Sequence, residues 1–413
     1  MPTYSQLTAC RCCGSKDLNQ YLDLGMMPMA NNIQDSKAKA EYVDRFPLSV
    51  LFCSNCGLSQ LSIIVDPVVL FTNYVYRSGI NNGYVNHCRQ MAKELQVKHV
   101  LDKSSVIYDI AGNDGTLLKQ FSEVIGCHQV VNIDPAKNLW QTCEKENGVR
   151  MYCFFWGTDT AKMMLQHNNS LADVITATNV FAHVHDVKDF IIAAELMLKP
   201  NGILVLEFPY LIDFIEKKEF DTVYFEHLSY FSITPLMWLV TDCGMKIVSV
   251  SKQDIHGGTV RVTIAKQWAD IPVEQSVDDF VMQEEAQGFI SLSKYADFSD
   301  TVSSTVAKFR DGLSSLPGTV AAFAASAKGN TLLNCVGDCS PIQYIVDETP
   351  EKIGKFAPGV GIEIVPLVHL LAFPVDYLVI LSWNFADEIM SKCRTAGYQG
   401  KFIIPIPEWR IVS

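Results

Sequence analysis

The sequence of 413 residues lacks the features that would place it in a membrane or on a nucleic acid. Its longest apolar stretch, from Leu367 to Phe385, is broken by His, Pro, Asp and Asn, so we expect no membrane-spanning segment. Positive charge is scarce, with 33 Lys and Arg against 45 Asp and Glu and a formal net charge of −12. This deficit argues against broad binding to nucleic acid or to anionic membranes. The first residues carry no basic segment followed by an apolar one, so we expect a cytoplasmic protein.

Cysteine is abundant instead, and the total of 13 is odd, so the cysteines cannot all pair in disulfides. Four of them form two Cys-x-x-Cys-Gly segments, whose thiols can face one ion across a tight turn. The segments predict a structural zinc site with the ligands Cys10, Cys13, Cys53 and Cys56, with Cys12 able to replace a neighbour. A redox motif would be single, and a catalytic zinc would keep one position open, so both fit less well. Four buried or surface thiols without a metal are the remaining alternative.

After the cysteine-rich segment, short β-branched runs alternate with longer amphipathic stretches, which indicates a parallel sheet covered by helices. The last two runs of the first alternation are too close for a helical crossover, so we expect them to pair antiparallel. The predicted strands are 106–110, 129–134, 150–155, 173–178, 202–208, 245–250 and 259–265. A polar pair of helices is expected between 268 and 316. A second alternation follows, with strands at 319–326, 342–346, 361–366, 376–383 and 401–405.

The turn after the first of these strands is the candidate cofactor site. It reads Ala111-Gly112-Asn113-Asp114-Gly115 and leads directly into a helix, so a ligand can approach the backbone at the carboxyl end of the sheet. The turn lacks the Gly-x-Gly-x-x-Gly spacing of a dinucleotide fold. Asp134, after the next strand, can bind two ribose hydroxyls, and Asp109 favours a sulfonium over a pyrophosphate. With the antiparallel last strand, these residues predict S-adenosylmethionine as cofactor, the alternative being a glycine-containing turn of any α/β protein.

We therefore predict an α/β chain in three parts. A small zinc-binding module spans residues 1–85. A seven-stranded doubly wound sheet of the class I methyltransferase type spans 86–267. A helical connector with a smaller Rossmann-like α/β domain spans 268–413.

A cluster of ionisable side chains follows the fifth strand of the first alternation. Tyr224, Glu226 and His227 lie within four residues of one another and offer a hydroxyl donor, a carboxylate able to fix a tautomer, and a proton acceptor. His183 follows the fourth strand and is expected to face the same cleft. The cluster predicts acid–base chemistry, although each of these side chains has a packing role as its alternative.

Ordered motifs along nearly the whole chain resemble those of the three-domain sugar C-methyltransferases of deoxysugar biosynthesis. Beside the cysteine segments, the motifs are Leu22-Asp23-Leu24-Gly25, Pro28-Met29-Ala30-Asn31, Tyr74-Val75-Tyr76-Arg77-Ser78, Asn113-Asp114-Gly115, Pro209-Tyr210, Tyr224-Phe225-Glu226-His227, His256-Gly257-Gly258, Ala325-Ser326-Ala327-Lys328-Gly329-Asn330-Thr331, Asp347-Glu348-Thr349-Pro350, Pro358-Gly359 and Trp383-Asn384. The resemblance implies an enzyme that uses S-adenosylmethionine to methylate carbon 3 of a nucleotide-diphosphate 4-keto-6-deoxysugar. It implies no nucleic-acid or membrane partner.

The same resemblance suggests roles for single residues. A base removes the acidic C–H beside the ketone, and we predict His227 for this role because an unperturbed imidazole has a pKa of about 6.5. Glu226 is expected to orient His227, while Tyr224, Tyr76 and His183 are candidates to bind the developing enolate oxygen. The expected cofactor-binding residues are Asp109, Ala111, Gly112, Asn113, Asp114, Gly115, Asp134 and Asn179. The expected substrate-binding residues are Asn31, Arg77, Ser78, Tyr210, His256, Lys328 and Asn330.

Some of these assignments have alternatives. Lys328 is either a diphosphate contact or a solvated side chain, and His256 either lines the site or shapes its turn. Ala111 and Ala324 stand where the family has Gly, and a methyl group there crowds a ligand if the backbone needs a positive φ. Two other functions remain open: an O- or N-methyltransferase on a sugar nucleotide or another small molecule, and a non-catalytic zinc-containing protein with a vestigial methyltransferase domain.

Overall fold

A computed structural model describes residues 4–72, 77–167, 169–255 and 258–413. Two predicted site residues, Tyr76 and His256, lie outside these ranges. In the described parts of the chain, no helix has both the length and the apolar character that crossing a bilayer requires.

The strands and helices are numbered here in chain order. The strands are β1 (Tyr4–Gln6), β2 (Leu18–Pro28), β3 (Arg45–Cys53), β4 (Ser59–Leu61), β5 (Ile63–Val65), β6 (Val106–Ile110), β7 (Gln129–Ile133), β8 (Arg150–Tyr152), β9 (Ala172–Thr178), β10 (Leu198–Pro209), β11 (Ser229–Tyr230), β12 (Met245–Gln253), β13 (Thr259–Lys266), β14 (Val320–Phe323), β15 (Ile342–Val346), β16 (Ile364–Val365), β17 (Tyr377–Ile380), β18 (Lys401–Ile404) and β19 (Arg410–Val412). The helices are α1 (Lys37–Glu41), α2 (Pro67–Phe71), α3 (Asn82–His99), α4 (Thr116–Ile125), α5 (Thr158–Gln166), α6 (Val187–Met197), α7 (Leu211–Glu216), α8 (Ile233–Asp242), α9 (Gln275–Ala286), α10 (Ser293–Ser315), α11 (Ala327–Val336), α12 (Leu367–Ala372) and α13 (Ala386–Ala396).

The central sheet has seven strands in the order β12-β13-β10-β9-β6-β7-β8. β13 pairs antiparallel with both β10 and β12, while the pairs from β10 to β8 are parallel. All five residues of β6 are buried, because helices cover both faces of the sheet. The predicted class I methyltransferase sheet is confirmed, including its antiparallel last strand.

The N-terminal module is built on an antiparallel sheet of order β11-β4-β3-β2. Its outer strand β11 comes from the segment that directly follows His227, with Ser229 opposite Gln60 and Tyr230 opposite Ser59. This pairing was not predicted. The strand belongs by sequence to the middle third of the chain, so the predicted limits of the three parts stay a prediction.

The C-terminal domain contains a sheet of order β16-β15-β14-β17-β18-β19. Its first five strands are parallel, as expected of a Rossmann-like unit, and β19 adds an antiparallel edge that was not predicted. The predicted helical connector is present as α9 and α10. In α9, Glu284 is fully buried and accepts hydrogen bonds from the Tyr210 hydroxyl and from the backbone N–H groups of Ile233 and Thr234. The connector is therefore fastened to the central domain.

Candidate active site

A cavity of about 590 Å³ opens at the carboxyl ends of the parallel strands of the central sheet. One side is formed by the turn after β6, the end of β7 and the segment after β9. The other side is formed by residues 326–328 and 382–385 of the C-terminal domain. In an open α/β sheet this edge is where ligands bind. The cavity therefore brings the predicted cofactor turn, His183, Tyr224 and His227 together with Lys328.

The cofactor side of the cavity fits an adenosine. Asp134 accepts hydrogen bonds from the backbone N–H groups of Asn113 (2.9 Å) and Ala136 (2.8 Å). Each of its carboxylate oxygens keeps a second lone pair for a ribose hydroxyl. Phe155 and Trp156 add an aromatic wall suited to a purine. Asn179 also lines this side, as predicted.

Four residues of the predicted cofactor set support the turn without lining the cavity. Asp109 is 1% exposed and accepts a hydrogen bond from the Thr176 hydroxyl (2.7 Å), and burial raises its pKa to about 7. Asp114 accepts from the Gly79 N–H and from the Thr116 N–H and hydroxyl. The backbone runs close over Asp109 at Gly112 and over Cys143 at Gly115, where added side chains would clash. The expected contact between Asp109 and a sulfonium is therefore wrong, because its carboxylate lies beneath the turn.

Ala111 lines the cavity with a φ of 49°, a left-handed conformation that favours glycine. Ala324 has a φ of 78° at the equivalent place in the C-terminal domain, at the end of β14. A positive φ was the condition under which the alanine methyl group would crowd a ligand, and Ala111 meets it. The left-handed region costs an alanine roughly 1–2 kcal/mol relative to the right-handed one.

His227 is held by two hydrogen bonds of opposite sense. Its Nδ1 lies 2.9 Å from the Thr222 carbonyl oxygen, which can only accept, so Nδ1 carries the proton. Its Nε2 is then an acceptor and lies 2.9 Å from the Tyr224 hydroxyl. Burial, with smaller effects from His183 and Lys328, lowers the pKa of His227 well below its usual value. His227 is therefore a neutral imidazole with its basic nitrogen at the cavity.

Glu226 does not orient His227, and that expectation is wrong. One carboxylate oxygen of Glu226 accepts a hydrogen bond from the Asn31 side-chain amide (2.9 Å), and the other is buried with no partner among the residues that the structure describes. The Thr222 carbonyl fixes the imidazole tautomer instead. Asn31 reaches the catalytic segment through Glu226 and does not line the cavity, so it is not placed to contact substrate directly.

His183 lies against His227, with ring centroids 4.8 Å apart and ring planes at 70°. Burial lowers its pKa to about 4, so the ring is neutral at physiological pH. Its Nδ1 has no hydrogen-bond partner among the described residues. His183 is thus available to a ligand in the cavity.

The predicted substrate residues divide into two groups. Ser78 and Lys328 line the cavity. Lys328 lies 3.2 Å from the Glu219 carboxylate with its side chain only 17% exposed, so the solvated alternative is wrong. The others have partners elsewhere: Arg77 pairs with Glu146, the Tyr210 hydroxyl donates to Glu284, and the Asn330 amide donates to the Ala30 carbonyl.

The sequence did not single out Glu219, Thr222, Phe155 or Trp156, which all line the cavity. Glu219 and Thr222 lie just before the Tyr224–His227 cluster. Their proximity in sequence was the available signal. The predicted strand 150–155 contained Phe155 and ended just before Trp156. The observed strand ends at Tyr152, so both side chains belong to the following loop, which lines the cavity.

The predicted zinc ligands converge. The Sγ atoms of Cys10 and Cys56 are 3.6 Å apart, those of Cys13 and Cys53 are 3.5 Å apart, and all four lie within 4.8 Å of one another. Tetrahedral zinc with bonds of about 2.3 Å needs sulfurs about 3.8 Å apart, so the site fits the ion. Cys12 is buried but is not part of this group.

Arg11 connects the zinc-binding turn to the active site. Its guanidinium Nη1 donates to the carbonyl oxygens of Leu228 (3.1 Å) and Leu61 (3.2 Å). Leu228 follows His227, and its carbonyl also accepts from the Leu61 N–H. The metal turn is thereby joined to the residue after the candidate base.

Comparison with known proteins agrees with this arrangement. Family models match a putative zinc binding domain over residues 10–71, a methyltransferase domain over 86–250 and a C-methyltransferase C-terminal domain over 254–407. The C-methyltransferase NovU of Streptomyces niveus is 30% identical over 410 residues, which cover 98% of this chain and 96% of the relative. The chain belongs to the S-adenosylmethionine-dependent C-methyltransferases. Membership of this family supports an enzyme that methylates carbon over the vestigial and the O- or N-methylating alternatives.

Solved structures also match this C-methyltransferase, at low identity. An S-adenosylmethionine-dependent methyltransferase from Clostridium acetobutylicum is 10% identical with a TM-score of 0.35, and the match covers 44% of this chain and 92% of that one. Magnesium protoporphyrin IX methyltransferase from Synechocystis is 10% identical with a TM-score of 0.34, covering 45% and 80%. These scores carry no argument about substrate.

Metal analysis should find about one zinc per chain, and Arg11→Gln should retain it, because the four thiols are untouched. Removing the guanidinium takes a charged donor away from the Leu228 and Leu61 carbonyls, so we expect a loss of about 2 kcal/mol in unfolding free energy and lower methyl transfer. Arg45→Gln is the matched control. Arg45 lies in the same module and donates to the Met26 carbonyl there and to the Gly359 carbonyl of the C-terminal domain. Equal loss of methyl transfer in both variants would contradict a specific role for Arg11.

Ala111→Gly should relieve the left-handed strain and remove a methyl group from the cavity wall. We expect stabilisation of up to about 1 kcal/mol and a several-fold lower dissociation constant for S-adenosylmethionine, measured by calorimetry. Ala324→Gly relieves the same kind of strain outside the cavity and should leave the affinity unchanged. Unchanged affinity in Ala111→Gly would show that the methyl group does not crowd the cofactor.

Proposed function

We propose that this C-methyltransferase acts on a nucleotide-diphosphate 4-keto-6-deoxysugar and adds the methyl group to carbon 3. The observation that carries the proposal is the tautomer of His227, whose Nε2 is an unprotonated acceptor at the wall of the cavity. A C–H group beside a ketone is acidic enough for such a base. An alcohol or amine acceptor would not need a base that is buried as deeply as His227.

The hydrogen bond between His227 and Tyr224 suggests how the enolate is stabilised. While Nε2 is unprotonated, the Tyr224 hydroxyl donates to it (2.9 Å). Nε2 has one lone pair, so the Tyr224 O–H must turn from Nε2 to the ketone oxygen before Nε2 takes the proton from carbon 3. The Tyr224 O–H then donates to that oxygen as the enolate develops, and the proton from carbon 3 stays on Nε2. His183, in contact with His227, is a second candidate for that oxygen.

The rest of the cavity is suited to holding the two ligands apart. Bound S-adenosylmethionine supplies the methyl group to the enolate carbon. Asp134, Asn179 and the turn at Ala111 are proposed to hold its adenosine end. Lys328 is the one Lys or Arg among the described lining residues, and it lies at the opposite side. An ammonium near the N-terminus of α11 is suited to the diphosphate of the sugar nucleotide.

Solvent exchange tests the base directly. Incubated in D₂O without S-adenosylmethionine, a 4-keto-6-deoxysugar nucleotide should gain deuterium at carbon 3. His227→Gln should slow that exchange by about 100-fold or more, whereas His128→Gln, an exposed histidine outside the cavity, should not. Mass spectrometry of a substrate panel with S-adenosylmethionine should show a gain of one methyl group. Methylation of such a sugar with no exchange at carbon 3 would contradict the position and the base.

The exchange rate should also depend on pH in a defined way. The lowered pKa keeps His227 in its basic form as the pH falls, so activity should persist below pH 6.5, the approximate pKa of an unperturbed imidazole. The acid limb of the kcat/KM profile for exchange should therefore lie under that value. An acid limb above pH 6.5 would show that another group titrates.

A further inference from the structure

Besides His183 Nδ1, two polar atoms of cavity-lining residues have no hydrogen-bond partner in the described structure: Glu219 Oε1 and Thr222 Oγ1. Glu219 is 4% exposed and Thr222 is 5% exposed. Both lie in one tight turn, in which the Thr222 N–H donates to the Glu219 carbonyl (2.9 Å). Unpaired buried polar atoms cost free energy, so their position on a ligand cavity needs a reason.

The Glu219 carboxylate is held in place from the C-terminal domain. Its other oxygen, Oε2, lies 3.2 Å from Lys328 Nζ. Lys328 also lies over the Trp383 ring, 5.2 Å from its centroid, and the Trp383 N–H donates to Asp221 (2.8 Å). One carboxylate oxygen is thus used to fix the side chain, and the other has no partner among the described residues.

We propose that Glu219 and Thr222 form a subsite that binds a hydroxyl group of the sugar ring. A hydroxyl fits because it can donate to Glu219 Oε1 and also accept from the Thr222 hydroxyl. A second ammonium fits less well, since Lys328 already neutralises Glu219. A metal ion is not supported, because in the described parts of the chain the cysteine cluster is the one group able to hold an ion. This subsite rests on the proposed sugar-nucleotide substrate and narrows it to a hydroxylated ring.

The test compares two substrates that differ by one ring hydroxyl, such as a nucleotide 4-keto-6-deoxyhexose and its 2-deoxy analogue. A site built to bind a hydroxyl discriminates strongly against an analogue that lacks it. We expect the wild-type kcat/KM to favour the hydroxylated sugar by on the order of 100-fold. Glu219→Met should reduce this ratio to within about 5-fold, and Glu219→Gln, which keeps one acceptor, should fall between.

Three further variants separate recognition from folding. Thr222→Val should lower the same ratio while leaving the KM for S-adenosylmethionine unchanged. Glu219→Met alone leaves the buried Lys328 ammonium without its partner. Combining it with Lys328→Met removes both charges, so no buried charge is left unpaired. This double variant should show the same low ratio. Glu216→Met, on the exposed end of α7, is the matched control and should behave as wild type.

Sugar-free nucleoside diphosphate supplies a binding readout without turnover. Calorimetry with thymidine, uridine or guanosine diphosphate should give the same affinity for wild type and Thr222→Val, because the subsite binds the sugar. If the wild type methylates the panel but does not discriminate between the two sugars, Glu219 and Thr222 do not bind a sugar hydroxyl and the inference is wrong. If the wild type methylates no sugar nucleotide, the proposed function itself fails.

Discussion

The arrangement of the active site depends on one short strand pairing between distant parts of the chain. β11 begins two residues after His227 and completes the sheet of the zinc-binding module, where Ser229 and Tyr230 pair with Gln60 and Ser59. The Arg11 guanidinium, inside the first cysteine turn, binds the Leu228 carbonyl at the start of that pairing. The C-terminal end of the segment from Glu219 to Leu228 is therefore held by the sheet of the zinc-binding module. The zinc is remote from the chemistry, yet it sets the position of the candidate base.

The other end of this segment is held by the C-terminal domain. Trp383 binds Asp221, and Lys328 pairs with Glu219, while the Thr222 carbonyl between them fixes the His227 tautomer. The N-terminal module and the C-terminal domain thus both hold these ten residues. The module contributes strand pairing, and the C-terminal domain contributes an ion pair and a hydrogen bond, while the Thr222 carbonyl belongs to the segment itself. The cofactor turn on the opposite wall depends on other contacts. Asp134 accepts from the Asn113 N–H, and Asp114 accepts from the Thr116 N–H and from the Gly79 N–H, which lies before the predicted central domain.

What the sequence could predict follows from the range of the interactions. The seven strands of the central sheet and the antiparallel last pair depend on local pattern and are confirmed, and the four cysteines predicted from their short spacing converge. The partners of Glu226 and Tyr210 could not be predicted, because Asn31 and Glu284 approach them from remote segments. The two-residue strand β11 carries no periodicity to detect. The predicted contact of Asp109 with a sulfonium was wrong, because residue type alone does not tell whether a carboxylate faces the cavity or is buried behind the turn.

The pairing of β11 with β4 also has a consequence during synthesis of the chain. Arg11 and the Leu228 carbonyl that it binds are 217 residues apart. The zinc module can fold around its metal as soon as Cys56 emerges, but β4 then presents an open edge until β11 has been translated. At about 5–20 residues per second, that interval lasts on the order of ten seconds or more. An unpaired edge strand is a site of aggregation, so nascent chains stalled before Ser229 should be the species most in need of a chaperone.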